Sequence, residues 1–183
     1  MRNRRCRQAG FWVDRCRTKI LFPAAVLAAL LALLACTVLP ARAQTKAGDL
    51  VFPLDTAQYR VSDGYGWRQD PFTGKNAFHK GIDLACAEGT GVLAVQSGMV
   101  VQAYRSTSYG TCLRVLHADD SEALYAHLQY AYVRPGEVVK AGQLLGAAGQ
   151  SGRATGAHLH FELHRQGTPC DPAGLLDTPD AAD

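Results

Sequence analysis

Hydrophobic residues after Gly48 fall in short runs separated by turn residues, and several runs alternate apolar with polar positions. No stretch in this part keeps the apolar period of a helix for long enough to form a substantial one. The strands predicted from these runs are residues 92–95, 99–104, 112–117, 123–128, 138–139, 143–145 and 158–164. The pattern therefore predicts a mainly β fold, a single domain of antiparallel β-sheet with a groove walled by long loops.

The N-terminal segment follows a different pattern. Residues 1–19 carry seven basic residues and one acid, and residues 20–39 form an apolar run. Small residues at Ala41 and Ala43 then suit cleavage by signal peptidase. A basic segment, an apolar segment and a cleavage site, in this order, predict export to the periplasm or cell envelope.

Three outcomes of export stay open. Cleavage after Ala43 would release the protein, whereas Leu33-Leu34-Ala35-Cys36 is similar to a lipobox, in which Cys36 would be lipidated. The apolar run is also long enough to span a bilayer uncut, with its basic flank on the cytoplasmic side. A membrane contact is thus expected only through this segment, if it is uncleaved or if Cys36 is lipidated.

The chain divides into four predicted regions. They are a signal peptide or membrane anchor at 1–43, a linker and domain lead-in at 44–63, the main domain at 64–172 and an acidic tail at 173–183. The first region holds eight of the 19 Lys and Arg residues and one of the 16 acids, so the rest carries 11 bases and 15 acids. Because nucleic-acid binding needs a basic surface, we expect none here.

Three cysteines follow the N-terminal segment, an odd number for an oxidising compartment. Cys86 and Cys112 lie at the edges of predicted strands in the same half of the domain, so a disulfide between them is one interpretation. The other is that Cys86, Cys112 and Cys170 are small buried residues. None has the paired spacing of a structural zinc site.

Histidines mark a candidate metal site. His158 and His160 lie two apart in a predicted strand, so both side chains project from one face. Upstream, His79 and Asp83 are separated by a loop-like stretch that contains glycine. A catalytic zinc takes three protein ligands and leaves a fourth position to water. His79, Asp83 and one histidine of the pair would supply these ligands, and the spacing does not decide which one.

A further histidine, His127, ends a predicted strand in the run Tyr125-Ala126-His127-Leu128. Three motifs thus contain four of the six histidines, while His117 and His164 stand apart.

In these motifs the chain resembles the lysostaphin-type or LytM-like zinc endopeptidases, which cut the peptide part of the bacterial cell wall. The resemblance runs from Gly64 to Pro172. Its markers, in the family's order, are Gly64-Tyr65-Gly66-Trp67-Arg68, Asp70-Pro71, Phe78-His79-Lys80-Gly81-Ile82-Asp83, Glu88-Gly89-Thr90, Tyr125-Ala126-His127-Leu128, Gly142-Gln143, Gly149 and Gly156-Ala157-His158-Leu159-His160-Phe161-Glu162. Ala157, Thr111 and Cys86 depart from the family pattern, but none of them removes a ligand.

The resemblance implies that His79, Asp83 and His160 bind one Zn²⁺ and that His127 and His158 are catalytic without being ligands. It implies hydrolysis of amide bonds in peptidoglycan cross-links, with zinc supplying a nucleophile at neutral pH. The two free imidazoles would then transfer protons.

Two neighbouring residues allow more than one interpretation. Glu162 shares a strand face with His158 and His160, so it either orients an imidazole or faces solvent. Strand alternation places Tyr125 on the face of His127, where it either donates to the oxyanion or packs. The glycine-rich residues 146–156 are expected to form a loop that walls the groove.

Two other functions compete with the enzyme. One is a non-catalytic relative that activates other wall hydrolases, although all five key residues are retained. The other is a biotinyl or lipoyl carrier, which residues 133–149 resemble, although Lys140 lacks the acidic neighbour expected of a carrier. Among peptidase substrates, the short domain layout favours direct cross-links in a diaminopimelate wall over glycine bridges.

Overall fold

A computed structural model describes residues 50–175. The predicted leader, its cleavage and lipidation positions and most of the acidic tail lie outside this range. The described strands are β1 (Arg60–Asp63), β2 (Gly66–Gln69), β3 (Asn76–His79), β4 (Ile82–Ala85), β5 (Gly91–Leu93), β6 (Gly98–Ser106), β7 (Gly110–His117), β8 (Ser121–Ala131), β9 (Val138–Val139), β10 (Leu144–Ala148), β11 (His158–Arg165) and β12 (Thr168–Cys170), followed by a 3-10 helix at Pro172–Leu175. No helix among these residues has the length and apolarity of a membrane span.

The strands form one large sheet and one small hairpin. The large sheet runs in the order β1-β4-β11-β8-β7-β6-β9; β10 pairs with β5 and β8, and β12 pairs with β11. Strands β2 and β3 pair separately. Every strand pair is antiparallel. The predicted mainly β, antiparallel fold is thus confirmed.

Alternation along the central strands separates the hydrophobic core from the site. In β11, Leu159 and Phe161 are fully buried in the main core. The residues between and beside them, starting with His158 and His160, project from the other face. Strand β8 adds Tyr125 to the same core. The apolar face therefore fixes the direction in which the histidines point.

The residues around His79 and Asp83 are not the loop that the sequence predicted. His79 is the last residue of β3 and Asp83 the second residue of β4, and only Lys80 and Gly81 connect the two strands. A Cβ at Gly81 would overlap the carbonyl oxygen of Phe161, so this tight connection needs glycine. Strands β1 to β3 were missed because they are short and largely exposed, without clear apolar alternation. Strand β4 alternates the buried Ile82 and Leu84 with Asp83 and Ala85, but its four residues were too few to stand out.

The predicted Cys86–Cys112 disulfide is wrong, because both cysteines are free thiols. Cys86 packs against the main core, whereas Cys112 belongs to a small cluster with Leu124 and Ala126. These two residues alternate along β8 with residues of the main core, so the two thiols lie on opposite faces of the sheet. The interpretation as small buried residues holds for Cys112, while Cys86 and Cys170 are partly exposed.

The lead-in packs onto the domain from residue 51 onward. The amide of Val51 donates to Val95, and Leu54 is buried and pairs with Val92. The main core therefore includes residues that precede β1.

Candidate metal centre

Neighbouring strands bring two of the predicted ligands directly opposite each other. Asp83 in β4 pairs with His160 in β11. His79, at the end of β3, reaches the same point from the adjoining connection. The three side chains together form a group that can hold a metal ion. Residues 81 positions apart in the sequence therefore meet at one place in the fold.

The ligand atoms converge closely. Asp83 Oδ1 lies 2.8 Å from His160 Nδ1 and 3.3 Å from His79 Nε2, and the two ring nitrogens are 3.0 Å apart. Tetrahedral zinc with bonds of about 2.0–2.1 Å would place its ligand atoms roughly 3.3 Å apart. The triangle thus fits zinc after small adjustments.

Hydrogen bonds on the far side of each ring fix which nitrogen faces the centre. His79 Nδ1 donates to the carbonyl oxygen of Gly64 over 2.7 Å, and His160 Nε2 donates to Glu162 Oε1 over 3.0 Å. The neutral rings therefore turn lone pairs toward Asp83 Oδ1. Two lone pairs and a carboxylate oxygen repel one another unless a cation or a proton lies between them, so the donor set suits a metal.

The pKa values of Asp83 and His160 also show that a positive charge is stabilised at this point. Burial alone would raise the pKa of Asp83, but contact with the His160 and His79 rings, whose protonation favours the carboxylate, holds it well below its usual range. Burial likewise opposes protonation of His160, yet hydrogen bonds to Asp83 and Glu162 raise its pKa to about 9. In the metal-free protein a proton on His160 thus takes the place of the cation.

His127 and His158 form a second pair beside this centre, with ring centroids 4.6 Å apart. His127 Nδ1 donates to the carbonyl oxygen of Ser151 over 2.7 Å, and His158 Nδ1 donates to that of Gly156 over 2.8 Å. In the neutral rings Nε2 is therefore free to accept a proton. His158 Nε2 lies 3.7 Å from Asp83 Oδ1, beyond hydrogen-bond distance.

His127 reaches the site through a β-bulge. Thr111 and Leu113 of β7 pair with Leu128 and Tyr125 of β8, so β8 contains one extra residue between these pairs. His127 has a φ of 60°, in the left-handed region that non-glycine residues seldom occupy. The bulge breaks the alternation that would otherwise place His127 on the face of Tyr125.

Tyr125 consequently has no role in the site. Its side chain is fully buried in the core, and its hydroxyl accepts a hydrogen bond from the amide of Val95 over 2.9 Å. The hypothesis of an oxyanion donor is wrong for this residue, and the packing alternative is correct. The error came from assuming an unbroken strand between Tyr125 and His127.

Glu162 is a buried carboxylate with three hydrogen-bond donors. Its oxygens accept from His160, from His164 Nε2 over 2.6 Å and from the Tyr109 hydroxyl over 2.7 Å. Burial would raise its pKa, but these donors lower the pKa to about 2. The solvent-facing interpretation of Glu162 is therefore wrong, and its contact with His160 is the one that an orienting residue would make.

Two members of this network were missed in the sequence. His164 lies two positions beyond Glu162 in β11, so strand alternation was a signal that could have included it. Tyr109 precedes β7 and is far from Glu162 in sequence, so only the fold reveals this contact. Burial and the neighbouring carboxylate raise the pKa of Tyr109 above its usual range, which keeps its hydroxyl a donor.

All five predicted site residues line one cleft of about 780 Å³. One wall is the β2–β3 hairpin tip with Asp70 and Phe72, and the other is formed by residues 153–157. The walls touch where Arg153 lies 2.5 Å from Asp70 Oδ1 and its guanidinium stacks 4.4 Å from the Phe72 ring centroid. Part of the predicted glycine-rich loop, residues 153–156, thus walls the groove, whereas residues 144–148 form β10.

Comparisons with known proteins give consistent matches. Residues 77–172 match the family model described as Peptidase family M23. The chain is 36% identical over 138 residues to DD-carboxypeptidase/endopeptidase Mpg of Neisseria gonorrhoeae, covering 75% of this chain and 31% of that protein. It is 34% identical over 121 residues to peptidoglycan DD-endopeptidase ShyB of Vibrio cholerae, covering 66% and 28%. The chain thus spans about a third of the length of these curated relatives.

Solved structures show the same similarity. A zinc containing peptidase from Vibrio cholerae matches with a TM-score of 0.61 and 34% identity, covering 66% of this chain and 37% of that one. The catalytic domain of lysostaphin from Staphylococcus simulans matches with a TM-score of 0.60 and 32% identity, covering 66% and 93%.

Proposed function

Because the chain belongs to peptidase family M23, we propose that it is a zinc-dependent endopeptidase that hydrolyses amide bonds in the peptide cross-links of bacterial peptidoglycan. The match to this family confirms the resemblance noted in the sequence. The observation that carries the proposal is the meeting of three potential ligand atoms beside two imidazoles whose Nε2 atoms are free. Relatives named as peptidoglycan DD-endopeptidases support this substrate class.

Zinc is the cofactor that the family and the donor set indicate. His79 Nε2, Asp83 Oδ1 and His160 Nδ1 would hold it. When bound, zinc polarises the scissile carbonyl and makes hydroxide available at neutral pH. Gly64 and Glu162 keep the two ligand imidazoles in the required tautomers through the hydrogen bonds to their outer nitrogens.

His127 and His158 are proposed to carry the protons. Each holds its Nδ1 hydrogen on a backbone carbonyl, so Nε2 can accept a proton from the attacking water and return one to the leaving amine. Burial, with a smaller electrostatic effect of the two neighbouring imidazoles, lowers the pKa of His127 to about 4, against the opposing hydrogen bond to Ser151. This ring is therefore neutral, and able to accept a proton, at physiological pH.

The site of action follows from the substrate. Cross-linked peptidoglycan lies outside the cytoplasm, so the protein would work in the periplasm or cell envelope, in agreement with the export signal proposed for residues 1–43. Attachment to the membrane remains a prediction that depends on an uncleaved apolar run or a lipidated Cys36.

The test is digestion of purified cross-linked muropeptides by the purified protein, read by mass spectrometry. We expect one bound zinc per chain and a gain of one water for each amide cut. Chelation should stop the reaction, and added zinc should restore it. A protein that binds no zinc and cuts nothing, but stimulates a separate wall hydrolase, would instead support the activator alternative.

A further inference from the structure

The cleft contains two basic side chains without an acidic partner. Four cationic residues line it. Two of them are paired, Arg68 Nε with Asp63 Oδ2 at 2.9 Å and Arg153 with Asp70 at 2.5 Å. Arg60 and Lys80 are exposed and form no ion pair with any of residues 50–175. Two cationic side chains of the cleft are thus available to bind an anionic group.

The remaining acids of the cleft do not compensate this charge. Asp83 and Glu162 are both engaged by histidines, and bound zinc would add positive charge beside Asp83. The chain after residue 43 nevertheless has 15 acids and only 11 bases. A cleft with unpaired cations in an acidic chain indicates an anionic ligand group.

Strand register places Arg60 in line with a catalytic histidine. Arg60 in β1 pairs with Ala85 in β4, and Ala85 pairs with His158 in β11. Paired residues project from the same face of a sheet, and all three line the cleft. Two strand spacings of about 4.8 Å separate Arg60 from His158 by roughly 10 Å, with the small Ala85 between them.

We propose that Arg60 forms a carboxylate subsite that selects the cross-link to be cut. A guanidinium binds a carboxylate through two parallel hydrogen bonds, and Arg60 has no competing partner among the described residues. The shallow floor at Ala85 leaves room for a substrate residue between the guanidinium and His158. This subsite rests on the proposed endopeptidase function and adds its specificity.

The chemistry of the cross-link supplies the matching group. In a direct D-alanyl to diaminopimelate cross-link, the carbon attached to the scissile nitrogen also carries a free carboxylate. A glycine bridge has no free carboxylate beside its internal amide bonds. Arg60 would therefore favour direct cross-links and disfavour glycine bridges.

Lys80 is the weaker candidate for this role. It lies in the two-residue connection after the ligand His79, on a flexible side chain that offers a point charge. Arg60 instead extends from a strand of the main sheet, which holds its backbone at a fixed distance from His158.

The test compares two substrates with the full-length, zinc-loaded protein. One is a cross-linked peptide dimer with a free carboxylate beside the scissile amide, and the other is the same dimer with that group as a carboxamide. We expect the parent to prefer the carboxylate by about 10- to 100-fold in kcat/KM, the range of a charge-assisted hydrogen bond. Arg60→Gln should lose this preference by losing activity on the carboxylate dimer, and Arg60→Lys should keep part of it.

Arg105→Gln is the matched control, because Arg105 is an exposed arginine on β6 outside the cleft. It should leave the preference unchanged, and all variants should keep the zinc content and melting temperature of the parent. The subsite is overturned if the parent cuts both dimers equally, if Arg60→Gln slows both equally, or if Lys80→Gln alone removes the preference. If the parent cuts neither dimer, the endopeptidase function itself fails.

Discussion

His160 and His127 are buried imidazoles of one site with ring centroids 5.8 Å apart, yet their pKa values move in opposite directions. The outer nitrogen of His160 is held by the carboxylate of Glu162, whereas that of His127 is held by the backbone carbonyl of Ser151. The pKa of His160 rises to about 9 and that of His127 falls to about 4.

The difference lies in the charge of the groups that contact each ring, since His160 also contacts the carboxylate of Asp83 over 2.8 Å, and that contact raises its pKa more than Glu162 does. A carboxylate fixes the ring and also makes it a stronger electron donor, which suits a metal ligand. A carbonyl fixes the tautomer with far less effect on charge, so burial dominates and the ring stays neutral, as a proton acceptor must. One residue type is thus suited to the two proposed functions because its partners differ.

The largest effect should come from replacing each of these two histidines with alanine. His160→Ala removes a proposed ligand, so we expect loss of zinc and activity at the level of the chelated protein. His127→Ala should keep zinc and lower kcat by about 10²- to 10⁴-fold, the usual contribution of a general acid or base. Metal analysis with single-turnover assays checks this. Equal zinc loss in both variants would abolish the distinction between ligand and base.

The next effect concerns the loop that holds His127. A Cβ at Gly152 would overlap the backbone of Gly110, and Gly152 has a φ of 75°, so Gly152→Ala should displace the Ser151 carbonyl. We expect a loss in kcat of about 10²-fold, typical of a misplaced catalytic group, without loss of zinc. Gly174→Ala is the control, because a Cβ there meets nothing within 4 Å and Gly174 does not line the cleft. Equal activity of the two variants would show that the position of this loop does not affect catalysis.

A smaller effect is expected from the carboxylate that holds His160. Glu162→Gln keeps the shape but removes the charge, so zinc should bind about 10- to 100-fold more weakly. The affinity can be measured by competition with a chelator. His117→Gln serves as control, since His117 is a buried histidine that does not line the cleft. Unchanged zinc affinity in Glu162→Gln would show that the carboxylate only packs.

The smallest effect is on stability in the metal-free protein. The pKa of His127 is lowered in the fold, so its contribution to stability is present above pH about 6.5 and is lost as pH falls through about 4. His160 has the opposite sign, with a contribution present below pH about 6.5 and lost as pH rises through about 9. NMR titration of the chelated protein should resolve the two shifts. Two rings that both titrate near 6.5 would contradict this account.

Sequence and structure contributed unequally to these conclusions. The alternation of Leu159 and Phe161 with His158 and His160 predicted both the strand and its two faces, since the side-chain period of a strand is a local property. The same reasoning misplaced Tyr125, because a bulge at His127 adds one residue to the strand. A bulge depends on pairing with β7, which a local pattern does not contain.

The sequence by itself determined the mainly β fold, the residues that meet in the cleft and the family to which the chain belongs. Strand periodicity and the order of motifs are local properties, so they can be read without the structure. Only the tertiary structure decided the tautomers, the burial of Glu162 with Tyr109 and His164, the free thiols and the line from Arg60 to His158. These features depend on distances between segments that are remote in sequence. Such distances are set only when the core packs and fixes the register of the strands.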